Sequence, residues 1–445
     1  MKGISLIVPA SISVLFAACS GSANNGKTNY TDTVKTNMAD ETVLPAPYAT
    51  ASAVKFAEVI GWPEGATPKA PEGFSVTKFA GGLNNPRWIY VTPNGDILVA
   101  EARTSRKGIK KAVSKITGQA KSQNLNDDEP GNRILFFRDT DNDGVPDVTN
   151  VFLKGLNMPL GMLVVDNYFY VANTDGLWKY PYEPGATSIT GQGIKIVNLP
   201  AGGYNNHWTR NIITNKEKTR IFISVGSGSN VGENGMENEV RRANILSVNL
   251  DGSEEKVYAS GLRNPVGMDW APGTNQLWTA VNERDGLGDD LVPDYLTSVK
   301  ENGFYGWPFA YWGAHADPRL DSARMDLVKR TIVPDVNLGA HTASLGLAFN
   351  NANFFPKEYT GCAFVGQHGS WNRSKIVGYK VVYIPFANGK PSGKPQDFLT
   401  GFVANADEAK VYGRPVCIAF AKANYMLVSD DAANTIWCIK SNKSR

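Results

Sequence analysis

The chain has 445 residues, 42% of them apolar and 20% charged, and a net charge of +3. That composition excludes a disordered chain and lacks the basic excess of a nucleic-acid binder. The length supports a sizeable core and is compatible with one large all-β domain.

Residues 1–19 read as a targeting segment. Lys2 supplies the positive start, and the apolar run Ile4 to Phe16 is too short to span a bilayer. The run ends Leu15-Phe16-Ala17-Ala18-Cys19, which resembles a bacterial lipoprotein lipobox and implies lipidation of Cys19. The alternative is a plain secretory signal cut at an alanine. Either reading predicts export. The lipidated form would be held by its acyl chains on the periplasmic face of the outer membrane or at the cell surface. Residues 20–67 are polar, with Pro45-Ala46-Pro47, and read as a flexible tether. The folded body is expected over 68–445.

A loose repeat runs through that body. Gly82-Leu-Asn-Asn-Pro-Arg-Trp-Ile, Gly155-Leu-Asn-Met-Pro-Leu-Gly-Met, Gly203-Tyr-Asn-Asn-His-Trp-Thr-Arg and Gly261-Leu-Arg-Asn-Pro-Val-Gly-Met each open a pair of alternating strands. His341-Thr-Ala-Ser-Leu-Gly-Leu and Gly413-Arg-Pro-Val-Cys-Ile do the same. Strands joined by Asn/Gly/Pro turns at intervals of roughly 50 to 80 residues, with no helical pattern between them, predict a six-bladed β-propeller. In such a ring the opening turns face a common axis. His207 occupies the proline slot of the third repeat, Arg263 and Asn264 flank that slot in the fourth, and Arg414 lies in the sixth.

Two insertions interrupt the pattern. Residues 103–124 are basic and read as a solvated surface loop, with contact to an anionic surface as the lesser reading. Asp139-Thr-Asp-Asn-Asp-Gly-Val-Pro-Asp147 resembles the first half of a calcium loop, but Asn150 stands where the closing glutamate belongs, so an Asx-rich hairpin turn is an equal reading. Cys362, Cys417 and Cys438 have no zinc-site spacing; a Cys417–Cys438 disulfide and buried free thiols are both open.

The chemistry-bearing residues concentrate in 202–313. Only four histidines occur, and G-x-S-x-G, H-E-x-x-H and a phosphate loop are absent. GSGSN at 226–230 reads as a turn. A neutral imidazole at His207 is suited to take a proton from a hydroxyl near neutral pH, and Arg263 to hold a carbonyl or carboxylate oxygen. Either residue alone would read as structural; the matched turns join them. The acidic loop Glu283-Arg-Asp-Gly-Leu-Gly-Asp-Asp290 offers hard oxygens that suit calcium.

The stretches NNHWTRNIITN, TRIFISVGSGSN, SGLRNPVGM, NERDGLGDDL, GFYGWPFAYWG, FVGQHGSWNRS and YGRPVCIAF resemble the glucose/sorbosone dehydrogenase family, soluble quinoproteins that use pyrroloquinoline quinone (PQQ) and calcium on a six-bladed propeller. The resemblance covers roughly residues 71–440 and is strongest to the sorbosone dehydrogenase branch. It implies that His207 is the catalytic base, that Arg263 polarises the quinone C5 oxygen, and that Asn264 holds the cofactor. It implies a carboxylate clamp at Arg414, main-chain oxygens for the cofactor calcium around Asp285 and Gly286, and a second calcium position at Asp290 and Tyr305. Two departures stand out. Val416 replaces a second family arginine, and His368 and Arg373 stand near where the family has a lysine, so both are candidates for the cofactor's carboxylates. The expected function is PQQ- and calcium-dependent oxidation of an aldose or sugar aldehyde, with a respiratory electron acceptor as partner. A calcium-dependent sugar lactonase and a non-catalytic glycan- or protein-binding propeller are the alternatives.

Overall fold

The computed structural model describes residues 30, 32–104, 118–122, 131–320, 324–351 and 354–442. The proposed signal, the lipobox Cys19 and most of the 103–124 insertion lie outside them. Among the described residues, six sheets carry four-stranded antiparallel meanders that follow one another along the chain. The first is Pro86–Val91, Ile97–Glu101, Arg133–Arg138 and Val148–Leu153. The last joins Pro415–Ala421, Tyr425–Asp430 and Thr435–Ser441 to the early strand Phe74–Ala80, with Phe74 opposite Ser441. One sheet therefore takes strands from both ends of the folded body. This nearly all-β architecture is the expected one.

The opening strands of successive sheets lie against each other. Pro415–Ala421 touches Pro86–Val91 and Ser344–Phe349; Ser344–Phe349 touches Pro265–Trp270; Ile212–Thr214 touches both Pro265–Trp270 and Met162–Val165. Tyr90 Oη accepts the Val164 amide at 3.0 Å, which links Met162–Val165 to Pro86–Val91. The repeated glycine of the opening motif has a steric cause. A Cβ on Gly161 would collide with the Ile212 backbone, one on Gly267 with Leu347, and one on Gly346 with Val416. Backbones meet there with no room for a side chain.

The expected tether is corrected from Asp32 onward: this segment is laid against the body. Asn37–Met38 adds an antiparallel edge to Val336–Ala340, and Glu58–Val59 pairs in parallel with Lys410–Val411. Ala57 is buried. Trp62 packs against Phe402, Tyr412 and Trp437, and its indole N–H reaches Asp430 Oδ2 at 2.9 Å. Two-residue strands that complete edges supplied elsewhere carry no periodicity of their own, so polar composition hid them. The described end of the 103–124 insertion is corrected too. Ser122 is buried, its carbonyl accepts Arg414 Nη1 at 3.0 Å, and it is no solvated loop.

The 139–147 segment is the turn between Arg133–Arg138 and Val148–Leu153. Asp139, Asp141 and Asp147 bring carboxylate oxygens within 4.8 Å of one another, while Asp139 and Asp147 also accept amides of the same turn. The three described cysteines are free, buried thiols, so Cys417 and Cys438 form no disulfide.

Trp62→Ala is expected to cost about 3 kcal/mol of unfolding free energy, measured by denaturant titration. A loss under about 0.5 kcal/mol, typical of a surface site, would return this segment to a tether.

Candidate active site

His207 lies in the turn that Arg210 holds from beneath. That buried guanidinium donates to the carbonyls of His207 at 2.7 Å and Pro200 at 2.7 Å. His207 Nδ1 is 2.8 Å from the Ser227 carbonyl and 3.0 Å from Ser227 Oγ. The hydroxyl donates onward to Ser229 O at 2.6 Å, so the carbonyl acceptor assigns the proton to Nδ1. Nε2 is left with its lone pair. Burial, then the charge of Arg263, pulls the His207 pKa down to about 3. The ring is a neutral base across physiological pH.

Arg263 is 2% exposed. It donates to Glu283 O at 2.7 Å, Asn230 Oδ1 at 2.9 Å and Asp285 Oδ2 at 3.3 Å. Its carbonyl accepts the Ser227 amide at 2.7 Å, which ties this turn to the His207 partner. Beside it, Asn264 Oδ1 is buried without a hydrogen-bond partner. A Cβ on Gly226 would fall 2.5 Å from that oxygen and 2.6 Å from His207 Cβ. The absent side chain at Gly226 is what lets His207 and Asn264 both close on this backbone. The GSGSN turn is thus part of the site, held by Glu239, which accepts the Gly228 amide at 2.7 Å and the Ser229 amide at 2.9 Å.

The acidic loop is tied down by cations. Asp285 Oδ1 lies 3.2 Å from His341 Nδ1, and His341 Nε2 lies 2.8 Å from Gly288 O. Both partners are acceptors, so both ring nitrogens carry protons. Burial works against that charge, but Asp285 and the Gly288 carbonyl outweigh it and raise the His341 pKa. Burial likewise pushes Asp285 up, and His341 and Arg263 more than offset it, leaving its carboxyl below the ordinary value. The Asp285 carbonyl accepts Arg319 Nη1 at 2.6 Å and Asn230 Nδ2 at 3.0 Å. The Gly286 amide donates to Asn372 Oδ1 at 3.0 Å.

The structure therefore brings together His207, Arg263, Asn264, Asp285 and Gly286. The other expected residues are engaged elsewhere. Arg373 reaches Asp290 Oδ1 at 2.7 Å, so the proposed cofactor clamp and the proposed metal ligand pair with each other on the loop rim. The Tyr305 phenol donates to Ser298 O at 2.5 Å and accepts the Lys300 amide at 3.0 Å within an apolar cluster, which removes that side chain from any metal. Arg414 donates to the carbonyls of His368 at 2.8 Å, Gly369 at 2.9 Å and Ser122 at 3.0 Å, the pattern of a structural brace. His368 Nε2 is 2.8 Å from Asp431 Oδ1, and burial and Arg414 draw its pKa down to about 4. Sequence reasoning missed Asn230, His341, Arg319 and Asp317. His341 was legible only as the opening of a repeat, although its position matches the slot turns of the other repeats.

The fold is of the β-propeller class that includes solved sugar dehydrogenases. The chain belongs to the TrAA12-like family, whose model matches residues 68–302 and 321–442. An uncharacterized protein of Borreliella burgdorferi is 28% identical over 389 residues, spanning 85% of this chain and 92% of that one. The pyrroloquinoline quinone-dependent pyranose dehydrogenase of Coprinopsis cinerea is 22% identical over 431 residues, 83% of this chain and 54% of that longer protein. The holo PQQ domain of the Coprinopsis cinerea enzyme superposes with a TM-score of 0.67 at 19% identity, over 86% of this chain and 100% of that one.

The lowered His207 pKa has a direct check. In a pH titration followed by NMR, the His207 ring should stay neutral down to about pH 3, and Arg263→Met should move its midpoint upward. A wild-type midpoint near the ordinary value of about 6.5 would remove the argument for a neutral base.

Proposed function

We propose that this chain is an oxidoreductase that uses PQQ to oxidise an aldose or a related sugar aldehyde, of which sorbosone is one. The observation that carries the reading is the neutral His207, its Nε2 open, beside the buried Arg263 and the unpartnered Asn264 oxygen. A planar, polycarboxylate quinone asks for a fixed cation at one edge and an amide at another. Arg263 and Asn264 fit that need. When bound, the quinone supplies a two-electron acceptor for the hydride that leaves the sugar C1.

The rest falls to the chain's own groups. His207 Nε2 takes the proton of the C1 hydroxyl, and the ring keeps its orientation because Ser227 holds Nδ1. Arg263 stabilises negative charge from a site with little water, where a guanidinium acts strongly. An anionic ligand against Arg263 offsets the part of the His207 depression that comes from the guanidinium. The product is a lactone or acid, and the electrons pass to a respiratory acceptor. Export and a lipid anchor at Cys19 are part of this reading, supported by the pattern of residues 1–19. So is a ring of six blades, supported by the chain of touching opening strands. A calcium lactonase would need carboxylates converging on a cation, and here Asp285 and Asp290 are each paired with an arginine.

Quinone titration followed by absorbance, then addition of aldoses and sorbosone with a dye acceptor, tests the proposal. His207→Ala should bind quinone like the wild type yet lose about a hundredfold or more in its reduction. Arg263→Met should weaken both. Failure of the wild type to bind quinone at micromolar concentration would end the dehydrogenase reading and leave the lactonase and the binding module.

A further inference from the structure

Calcium is the second cofactor that the family resemblance leads one to expect, with its oxygens around Asp285 and Gly286. The Asp285 carbonyl and carboxylate already have partners. Arg319 Nη1 stands 2.6 Å from the Asp285 carbonyl, and a Cβ on Gly286 would fall 3.1 Å from the same nitrogen. Gly286, at φ 94, supplies both the turn and the space for the guanidinium. Asp317 fixes the arginine with a two-pronged contact, Nε to Oδ1 at 2.9 Å and Nη2 to Oδ2 at 2.7 Å. Asp317 is 1% exposed and also accepts Arg284 Nη1 at 3.2 Å. The contact is therefore built from beneath.

Charge counting agrees. Three arginines (Arg263, Arg284, Arg319) and the protonated His341 face three carboxylates (Glu283, Asp285, Asp317), so the cluster has no deficit of positive charge for a metal to fill. A calcium ion binds oxygen at about 2.3–2.6 Å. On the Asp285 carbonyl it would share one oxygen with a guanidinium and add two uncompensated charges. The segment that carries Asp317 and Arg319 also lies between the two ranges the family model matches, 68–302 and 321–442.

We propose that Arg319 is a built-in cation standing in for the divalent ion, and that the site takes its anionic quinone without calcium. The proposal rests on the quinone reading for its ligand but not for its metal-free geometry. Arg319 is a positioning residue for the acidic loop and a fixed positive charge at its inner face.

The test uses the full chain after treatment with a chelator. PQQ is titrated against tryptophan fluorescence, for which Trp307 is a local reporter, its indole N–H lying 2.9 Å from Asn230 O. The wild type should bind with the same midpoint, within about twofold, in chelator and in calcium; a loss of about tenfold in chelator that calcium restores would overturn the proposal. In chelator, Arg319→Ala should bind about tenfold more weakly and Arg319→Lys should recover part of the loss. An Arg319→Ala protein that binds as the wild type does would also overturn it. A second measurement needs no quinone. With Asp139→Asn and Asp141→Asn silencing the exposed turn, elemental analysis after dialysis against calcium should find none retained, and retention of about one ion per chain would overturn the proposal. If no quinone binds under any condition, the function proposed above fails, and calcium retention still decides the role of Arg319.

Discussion

The Asp285 carboxylate, held between Arg263 and His341, sets the positions of everything around it. A largely buried carboxylate is costly to leave without partners, so its neighbours cannot drift without a penalty. Those neighbours come from three repeats. Asn230, from the third, accepts Arg263 and the Asp285 amide through Oδ1 and donates to the Asp285 carbonyl through Nδ2. Arg263 and Asp285 belong to the fourth, and His341 opens the fifth. One ionised group thereby locks three turns that sequence separates, and the Ser227–Arg263 backbone bond carries the lock to His207.

Close backbone approach makes such a cluster reachable. Gly161, Gly267 and Gly346 allow the opening strands to touch with no side chain between them, and so bring the preceding turns to neighbouring positions. A proline in the slot of a turn suits that geometry and supplies no chemistry. His207 departs from the repeat at this slot, and Arg210 and Ser227 hold in place what proline would have held through its ring. A local departure from an otherwise regular pattern, compensated by specific hydrogen bonds, is where function is expected to lie.

What was legible in the chain follows from this. The all-β class, the repeats and the association of His207, Arg263 and Asn264 were readable because one motif recurs and its slots align. The chemistry of the acidic loop was not, because carboxylates that bind calcium and carboxylates that bind arginine look alike in sequence. The arginines that pair with them, Arg263 for Asp285, Arg284 for Glu283 and Arg373 for Asp290, are set by the fold, and no spacing in the sequence announces the pairing. His368, Arg414 and Tyr305 sit in family-like motifs yet turn their polar atoms to Asp431, to main-chain carbonyls and to Ser298. Motif membership fixes where a backbone passes, and the partner of a side chain depends on what else the fold brings near. The segment from Asp32 to Thr67 was misread for the same reason, since its short strands exist only against edges supplied by distant residues.

The two histidines of the site show how far environment overrides residue type. His207 faces Arg263 and is held neutral, with a pKa of about 3; His341 faces Asp285 and is held protonated. Their contributions to stability run in opposite directions. His207 cannot take the proton that an unfolded histidine accepts near pH 6.5, so the fold loses stability as pH falls from there toward 3. Asp285, lowered, contributes stability that is fully present above the ordinary carboxylate range and is lost as pH falls through its folded pKa. His341, raised, contributes stability that is present below the unfolded pKa and is lost as pH rises through the folded one. Asp294, pushed up to about 7 by burial, costs stability as pH rises from the ordinary carboxylate range to about 7, because the unfolded chain has already released the proton that the folded carboxyl holds. The cluster is squeezed from both sides, and the interval between is where His207 is a free base while His341 and Arg263 still hold Asp285. Acid stability and base strength are therefore coupled through one guanidinium. Removing the charge of Arg263 would make His207 a stronger base and would at the same time release the carboxylate that keeps the turns together.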